Sequence, residues 1–116
     1  MLIPTDIKIH LYCGITDMRK SINTLAVMVQ DILQMEPRNG HLFLFRSRSG
    51  NKLKALYYEE YSFTLWYRRL EKGRFIFPRN AKGHLELTAE HFQSLLSSNK
   101  FVDYAENPPS IYRDFY

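Results

Sequence analysis

The chain has 116 residues, of which 45% are hydrophobic and 24% are charged, and its formal net charge is +4. These values are those of an ordinary globular domain, and they exclude disordered, collagen-like and coiled-coil chains. No apolar run approaches the roughly 18–20 residues of a membrane span, and the first residues lack the pattern of a signal peptide. The single cysteine, Cys13, excludes an internal disulfide and is typical of a reducing compartment. We therefore expect a cytoplasmic protein with no membrane partner.

The first predicted elements are a strand and a long helix. Residues 7–11 alternate between apolar and polar side chains, which is the period of a half-buried strand. Thr16 or Asp17 is the predicted N-cap of the helix, and residues 37–40 end it. The apolar face of this helix repeats over about four turns and consists of Met18, Ile22, Leu25, Ala26, Val29, Ile32 and Leu33.

Three strand patterns follow in the middle of the chain. Residues 42–45 are apolar and aromatic, residues 52–58 alternate between two faces, and residues 63–68 resume the same spacing. The loops between them are short, which indicates an antiparallel meander. Residues 75–77 form a last short apolar piece before a proline.

The remaining pattern completes the predicted fold. Residues 84–87 alternate, and Thr88 is the predicted N-cap of a helix through Leu96. The predicted fold class is α+β: an antiparallel β-meander of three to five strands packed against a long amphipathic helix, with a second short helix near the C-terminus. We expect a single α+β domain over residues 1–100. Residues 101–116 are predicted to form an extended C-terminal tail, because Asn107-Pro108-Pro109 continues neither a helix nor a strand.

The positive charge is concentrated in one segment. Residues 38–82 contain eleven Lys and Arg against three Glu, a net charge of +8, together with ten of the seventeen aromatic residues. Such a segment favours a polyanion such as nucleic acid, with aromatic rings available to stack on unpaired bases. The alternative is that Phe43, Phe45, Phe63 and Tyr67 fill the core while the basic side chains only solubilise the surface. The candidate nucleic-acid-binding residues are Arg46, Arg48, Lys52, Lys54, Arg68, Arg69, Lys72 and Arg74.

The sequence does not indicate an enzyme. The four histidines (His10, His41, His84 and His91) fall on no metal-ligand spacing, and no glycine-rich phosphate loop is present. A metal-dependent nuclease would need converging carboxylates. The candidates are Asp17, Asp31, Glu59 and Glu60, of which Asp17 has a simpler explanation as a helix cap and Glu59 and Glu60 as a solvated turn. We expect no catalytic residue, no metal site and no cofactor.

Several blocks of the sequence resemble one known family. They are residues 16–22 (Thr-Asp-Met-Arg-Lys-Ser-Ile), residues 40–45, residues 52–57 and residues 65–75, of which the part from Arg68 to Phe75 is the most specific. In this order and spacing they resemble the TnpB accessory protein of the sixty-six family of bacterial insertion sequences. The resemblance covers about residues 5–97.

The resemblance implies a small protein that is encoded beside a DDE-type transposase and needed for efficient transposition, with no established catalytic residues. Our leading hypothesis is that the basic segment binds DNA at the element ends, or bridges DNA and transposase. A second hypothesis is an adaptor that binds the transposase without touching DNA, through the aromatic residues Tyr57, Tyr58, Tyr61 and Trp66. A third, a nuclease that depends on Asp17, has the least support.

Overall fold

The computed structural model describes residues 6–77 and 83–97. In this part of the chain, five strands form one sheet and two helices accompany it, a mixed α+β arrangement of the predicted class. The elements are, in chain order, β1 (Ile9–Ile15), α1 (Ile22–Asp31), β2 (Leu42–Arg46), β3 (Lys52–Glu59), β4 (Ser62–Arg69), β5 (His84–Leu87) and α2 (Ala89–Leu96). The predicted C-terminal tail lies outside the described residues.

The strand order in the sheet is β4-β3-β2-β1-β5. Strands β2, β3 and β4 form the predicted antiparallel meander, and β5 pairs antiparallel with β1. Strand β1, however, runs parallel to β2, which corrects the expectation of an antiparallel sheet. The reason is the connection: α1 carries the chain back along the sheet, so that β2 starts at the same end as β1.

Helix α1 is shorter than predicted, with ten residues instead of about four turns. At its start, Asp17 does not cap the helix: its carboxylate accepts from the backbone N–H of Arg19, and Lys20 N–H donates to the Asp17 carbonyl in a turn. The N-cap is Ser21, whose side chain makes no capping hydrogen bond. At its end, Gln34 adopts a left-handed φ of 56° that stops the helix. The apolar pattern extends beyond the helix because residues before and after it, such as Met18 and Met35, also pack against the core.

The two faces of the sheet are covered by different segments. Helix α1 packs on one face, where Leu25 and Val29 bury against Phe43, Phe45 and Leu56. The other face carries a second core, completed by residues 75–77 and α2. Strand β2 lies between these layers and is buried on both faces, which explains its continuous apolar sequence.

Helix α2 begins as predicted. The hydroxyl of Thr88 accepts a hydrogen bond from the backbone N–H of His91 at 3.0 Å, the standard N-cap geometry. Phe92 and Leu95 are its buried residues. Among the described residues, neither helix is long and apolar enough to cross a bilayer.

Candidate nucleic-acid interface

Several basic residues of the middle segment lie at one end of the sheet. The turn between β2 and β3 lies there, and the chain after β4 returns to it: Leu70 N–H donates to the Asn51 carbonyl, and Phe75 N–H donates to the Gly50 carbonyl, both at 2.8 Å. Gly50 has a φ of 77°, a backbone conformation that is unfavourable for residues with a side chain. These contacts place Arg48 and the 70–75 loop at the same end of the sheet. We call this surface the basic end; its residues are Arg48, Lys52, Arg69, Lys72 and Arg74.

Two of these cations face each other across neighbouring strands. Lys52 of β3 is the register partner of Arg69 of β4, so their side chains lie on the same face of the sheet. Directly opposed like charges destabilise a pair of strands. Among the described residues, the ion pairs are Asp17–Arg19 and Glu36–Arg38, and neither involves the basic end. Lys52 and Arg69 therefore repel each other, and a bound anion would reduce that repulsion.

Arg46 and Lys54, which we expected to bind nucleic acid, are buried instead. Arg46 is 7% exposed, donates from Nε and Nη2 to the Cys13 carbonyl at 3.2 and 3.0 Å, and lies over the Phe77 ring. Lys54 is 9% exposed and donates from Nζ to the carbonyls of Met18 and Lys20 at 2.8 and 2.6 Å. Both cations therefore form hydrogen bonds to backbone carbonyls within the protein.

Arg68 lies on the opposite face from Lys52 and Arg69. It is exposed, but its Nη1 donates to the carbonyl of Leu96 at 3.0 Å and its guanidinium lies 5.3 Å from the centre of the Trp66 ring. Arg68 thus connects β4 to the end of α2. The eight expected residues therefore do not all share one surface, and five of them, the residues of the basic end, belong to segments that meet at one end of the sheet.

An open groove of about 730 Å³ lies beside the basic end. One wall is the connection between β1 and α1, at residues 15–18, and the other is the turn between β2 and β3 with Lys52. Arg48 and Lys52 supply positive charge, and Ser47 and Ser49 supply hydroxyl groups. The hydroxyl of Thr16 is buried and has no hydrogen-bond partner in the described structure.

Asp17, the one carboxylate among the described residues that line this groove, is paired with an arginine. Arg19 binds it through its backbone N–H, Nε and Nη2, with the shortest contact at 2.6 Å. The Arg19 hydrogen bonds hold the pKa of Asp17 well below its usual range. Asp17 therefore stays ionised and paired, and its charge does not cancel that of Arg48 and Lys52.

Three histidines come together although nothing in their spacing predicted it. His10 Nε2 lies 2.8 Å from His41 Nδ1, and the ring centres of His10 and His84 are 5.3 Å apart. Sheet pairing brings them together, since His84 lies opposite Tyr12 on the neighbouring strand. Burial and the nearby imidazoles lower the pKa of His10 to about 4. No group of three or more His, Cys, Asp or Glu in the described ranges has a geometry that could hold a metal ion.

Cys13 has the properties of a core residue. Its Sγ lies 3.7 Å from the Leu11 carbonyl, and burial raises the pKa of the thiol. A raised pKa disfavours the thiolate that a nucleophile needs.

The aromatic residues differ widely in exposure. Tyr57, Tyr58 and Trp66 are half-buried, whereas Tyr61 at the tip of the β3–β4 hairpin is 97% exposed. Tyr67 is 48% exposed, although it alternates in sequence like a core residue. The one sequence signal for the exposure of Tyr67 is that two charged residues, Arg68 and Arg69, follow it directly at the end of β4.

The fold and the basic end, as far as residues 6–77 and 83–97 show them, define a small α+β protein with several cations at one end of its sheet. The chain matches the family model described as IS66 Orf2-like protein over residues 7–105. It therefore belongs to the IS66 Orf2-like family, whose members are accessory proteins associated with transposition.

Two relatives from Sinorhizobium fredii are similar over most of their length. The uncharacterized protein y4hO is 35% identical over 92 residues, covering 79% of this chain and 80% of the relative. The uncharacterized protein y4jC is 32% identical over 81 residues, covering 70% and 69%. No solved structure matches the chain.

Proposed function

We propose that this protein is a non-catalytic accessory protein of transposition that contacts element DNA through the basic end. The observation that carries the proposal is the Lys52–Arg69 pair: two cations opposed across β3 and β4, with Arg48 in the adjoining turn. Two opposed cations do not stabilise the sheet, but they do favour the binding of a polyanion. Lys72 and Arg74 extend the same surface. Arg46 and Lys54 are left out because they are bound inside the fold.

The test is charge neutralisation with a matched control. The variant Arg48→Gln/Lys52→Gln removes two charges from the basic end. The control Lys8→Gln/Arg38→Gln removes two charges from the opposite end, near the start of β1 and the end of β3. Net charge is then identical in the two proteins, so a difference in DNA binding reports position.

We expect the basic-end variant to bind DNA more weakly and with a log–log salt slope that is less steep by about 2, because about one counterion is released for each phosphate contact. The control keeps the slope of the natural protein. Equal slopes in the two variants would reject the basic end as the contact surface.

A second candidate function is an adaptor that binds the transposase. It is favoured by Tyr61, whose side chain is almost fully exposed at the hairpin tip beside Glu59 and Glu60. An acidic tip with one exposed ring is a poor match for DNA and a suitable contact for a protein. The test is capture of transposase in a pull-down. Capture that survives nuclease treatment and is lost in Tyr61→Ser would support this function. Capture that is unaffected by Tyr61→Ser would exclude the hairpin tip as the contact surface.

A further inference from the structure

Tyr67 presents a fixed and accessible ring next to the basic end. Its side chain is 48% exposed, and the Lys54 ammonium lies 5.6 Å from the ring centre. Lys54 is itself held by the carbonyls of Met18 and Lys20. Because the contact that positions the ring is anchored in the fold, little conformational entropy is lost when a ligand stacks on it.

The ring shares its face of the sheet with the groove. In the register of β3 and β4, Tyr67 lies opposite Lys54, and Arg69 lies opposite Lys52. Lys52 is therefore the diagonal neighbour of Tyr67, at a spacing of roughly 7–8 Å that long side chains bridge. An aromatic surface and a cationic groove are thus adjacent on one face.

The groove offers an anion both charge and hydrogen bonds. Arg48 and Lys52 line it together with Thr16, which is 2% exposed and whose hydroxyl has no hydrogen-bond partner among the described residues. A buried hydroxyl without a partner is costly, so a ligand oxygen that reached it from the groove would gain a hydrogen bond, directly or through one water.

We infer that Tyr67 and the groove together bind an unpaired nucleotide of single-stranded DNA, with the base on the Tyr67 ring and its phosphate at Arg48 and Lys52. In a duplex both faces of each base are already stacked, so an exposed ring adds nothing to duplex binding, whereas an unpaired base has a free face to stack. The inference rests on the proposed function and specifies its substrate: DNA with unpaired bases.

The test compares two exposed tyrosines. Tyr67→Leu removes the proposed stacking ring, and Tyr61→Leu removes a ring from the far hairpin tip. Binding is measured by fluorescence anisotropy with a labelled oligothymidylate and with a duplex of the same length. We expect Tyr67→Leu to weaken binding of the single strand about tenfold and to leave duplex binding unchanged, while Tyr61→Leu changes neither. Tyr67→Phe, which keeps the ring, retains single-strand affinity.

Thr16→Val tests the groove, with the exposed Thr24→Val as its control. Valine has the same shape as threonine and removes an unpaired hydroxyl, so Thr16→Val does not lower the stability of the fold. We expect it to weaken single-strand binding at least about tenfold, the loss of one hydrogen bond to a charged acceptor. Unchanged single-strand affinity in Thr16→Val would remove the groove from the site.

The outcomes separate this inference from the proposed function. If the natural protein binds both probes, Arg48→Gln/Lys52→Gln weakens both, and Tyr67→Leu weakens neither, the basic end contacts DNA but the nucleotide site is wrong. If the natural protein binds neither probe at low salt, both proposals fail. If Tyr67→Leu weakens binding of the single strand and leaves duplex binding unchanged, both proposals are supported.

Discussion

Lys54 and Lys52 are two residues apart on the same face of β3, and the structure gives them opposite roles. The Lys54 ammonium connects the sheet to the loop before α1 through the carbonyls of Met18 and Lys20. Lys52 Nζ donates a hydrogen bond to the side-chain oxygen of the neighbouring Asn51, at 3.3 Å. Replacing each lysine by methionine keeps the aliphatic stem and removes the charge, so the pair isolates the value of the ammonium group.

The magnitude for Lys54 follows from its two hydrogen bonds. A hydrogen bond to a charged group contributes about 1.5–3 kcal/mol, and part of the sum is offset because a buried ammonium no longer has to be desolvated. We expect Lys54→Met to lower the free energy of unfolding by about 3 kcal/mol, which corresponds to a Tm lower by roughly 10–15 °C. Lys52→Met, at a half-exposed position, changes it by less than about 0.5 kcal/mol.

Urea unfolding followed by circular dichroism measures both variants. The natural protein and the two variants are compared at neutral pH, with equal m-values required for the comparison. If Lys54→Met were destabilised no more than Lys52→Met, the interpretation of Lys54 as a structural cation would be refuted, and Lys54 would return to the set of candidate DNA contacts.

Three further predictions concern stability. Because burial lowers the pKa of His10 to about 4, the unfolded chain takes up a proton below pH 6.5 that the folded chain takes up only near pH 4. Urea unfolding should therefore show stability falling as the pH is lowered through that window, by at most roughly 3 kcal/mol, and falling less in His10→Gln. The hairpin residues Glu60 and Tyr61 have φ values of 50° and 61°, so Glu60→Asn/Tyr61→Gly should raise the free energy of unfolding by about 1 kcal/mol in the same urea assay. Thr88→Ala removes a capping hydrogen bond and should cost about 1 kcal/mol in the same assay, whereas Ser21→Ala, where the side chain makes no such bond, should cost much less.

The sequence predicts much of the fold because most elements are periodic. The alternation in residues 52–58 places Leu53, Ala55 and Tyr57 on one face and Lys54 and Leu56 on the other, and the register of β3 confirms it. The same alternation does not say what covers a face. Lys54 is buried because the loop before α1 crosses it, a tertiary contact between residues that are 34 and 36 positions apart.

The limits of the site prediction have the same origin. Charge counting identified the basic segment, but strand register assigns Arg68 to one face and Arg69 to the other. The groove at Thr16 forms between two loops that are distant in sequence, and no local pattern reports such a meeting. The length of α1 was overestimated because apolar residues continue past both of its ends in loops that also face the core.

The most direct test of the central claim is the salt dependence of binding between the natural protein and duplex DNA, measured by anisotropy from low to physiological salt. Five phosphate contacts at the basic end predict a log–log slope of about −4 to −5. A slope near zero, or no binding at about 50 mM salt, would contradict the account that this surface contacts DNA.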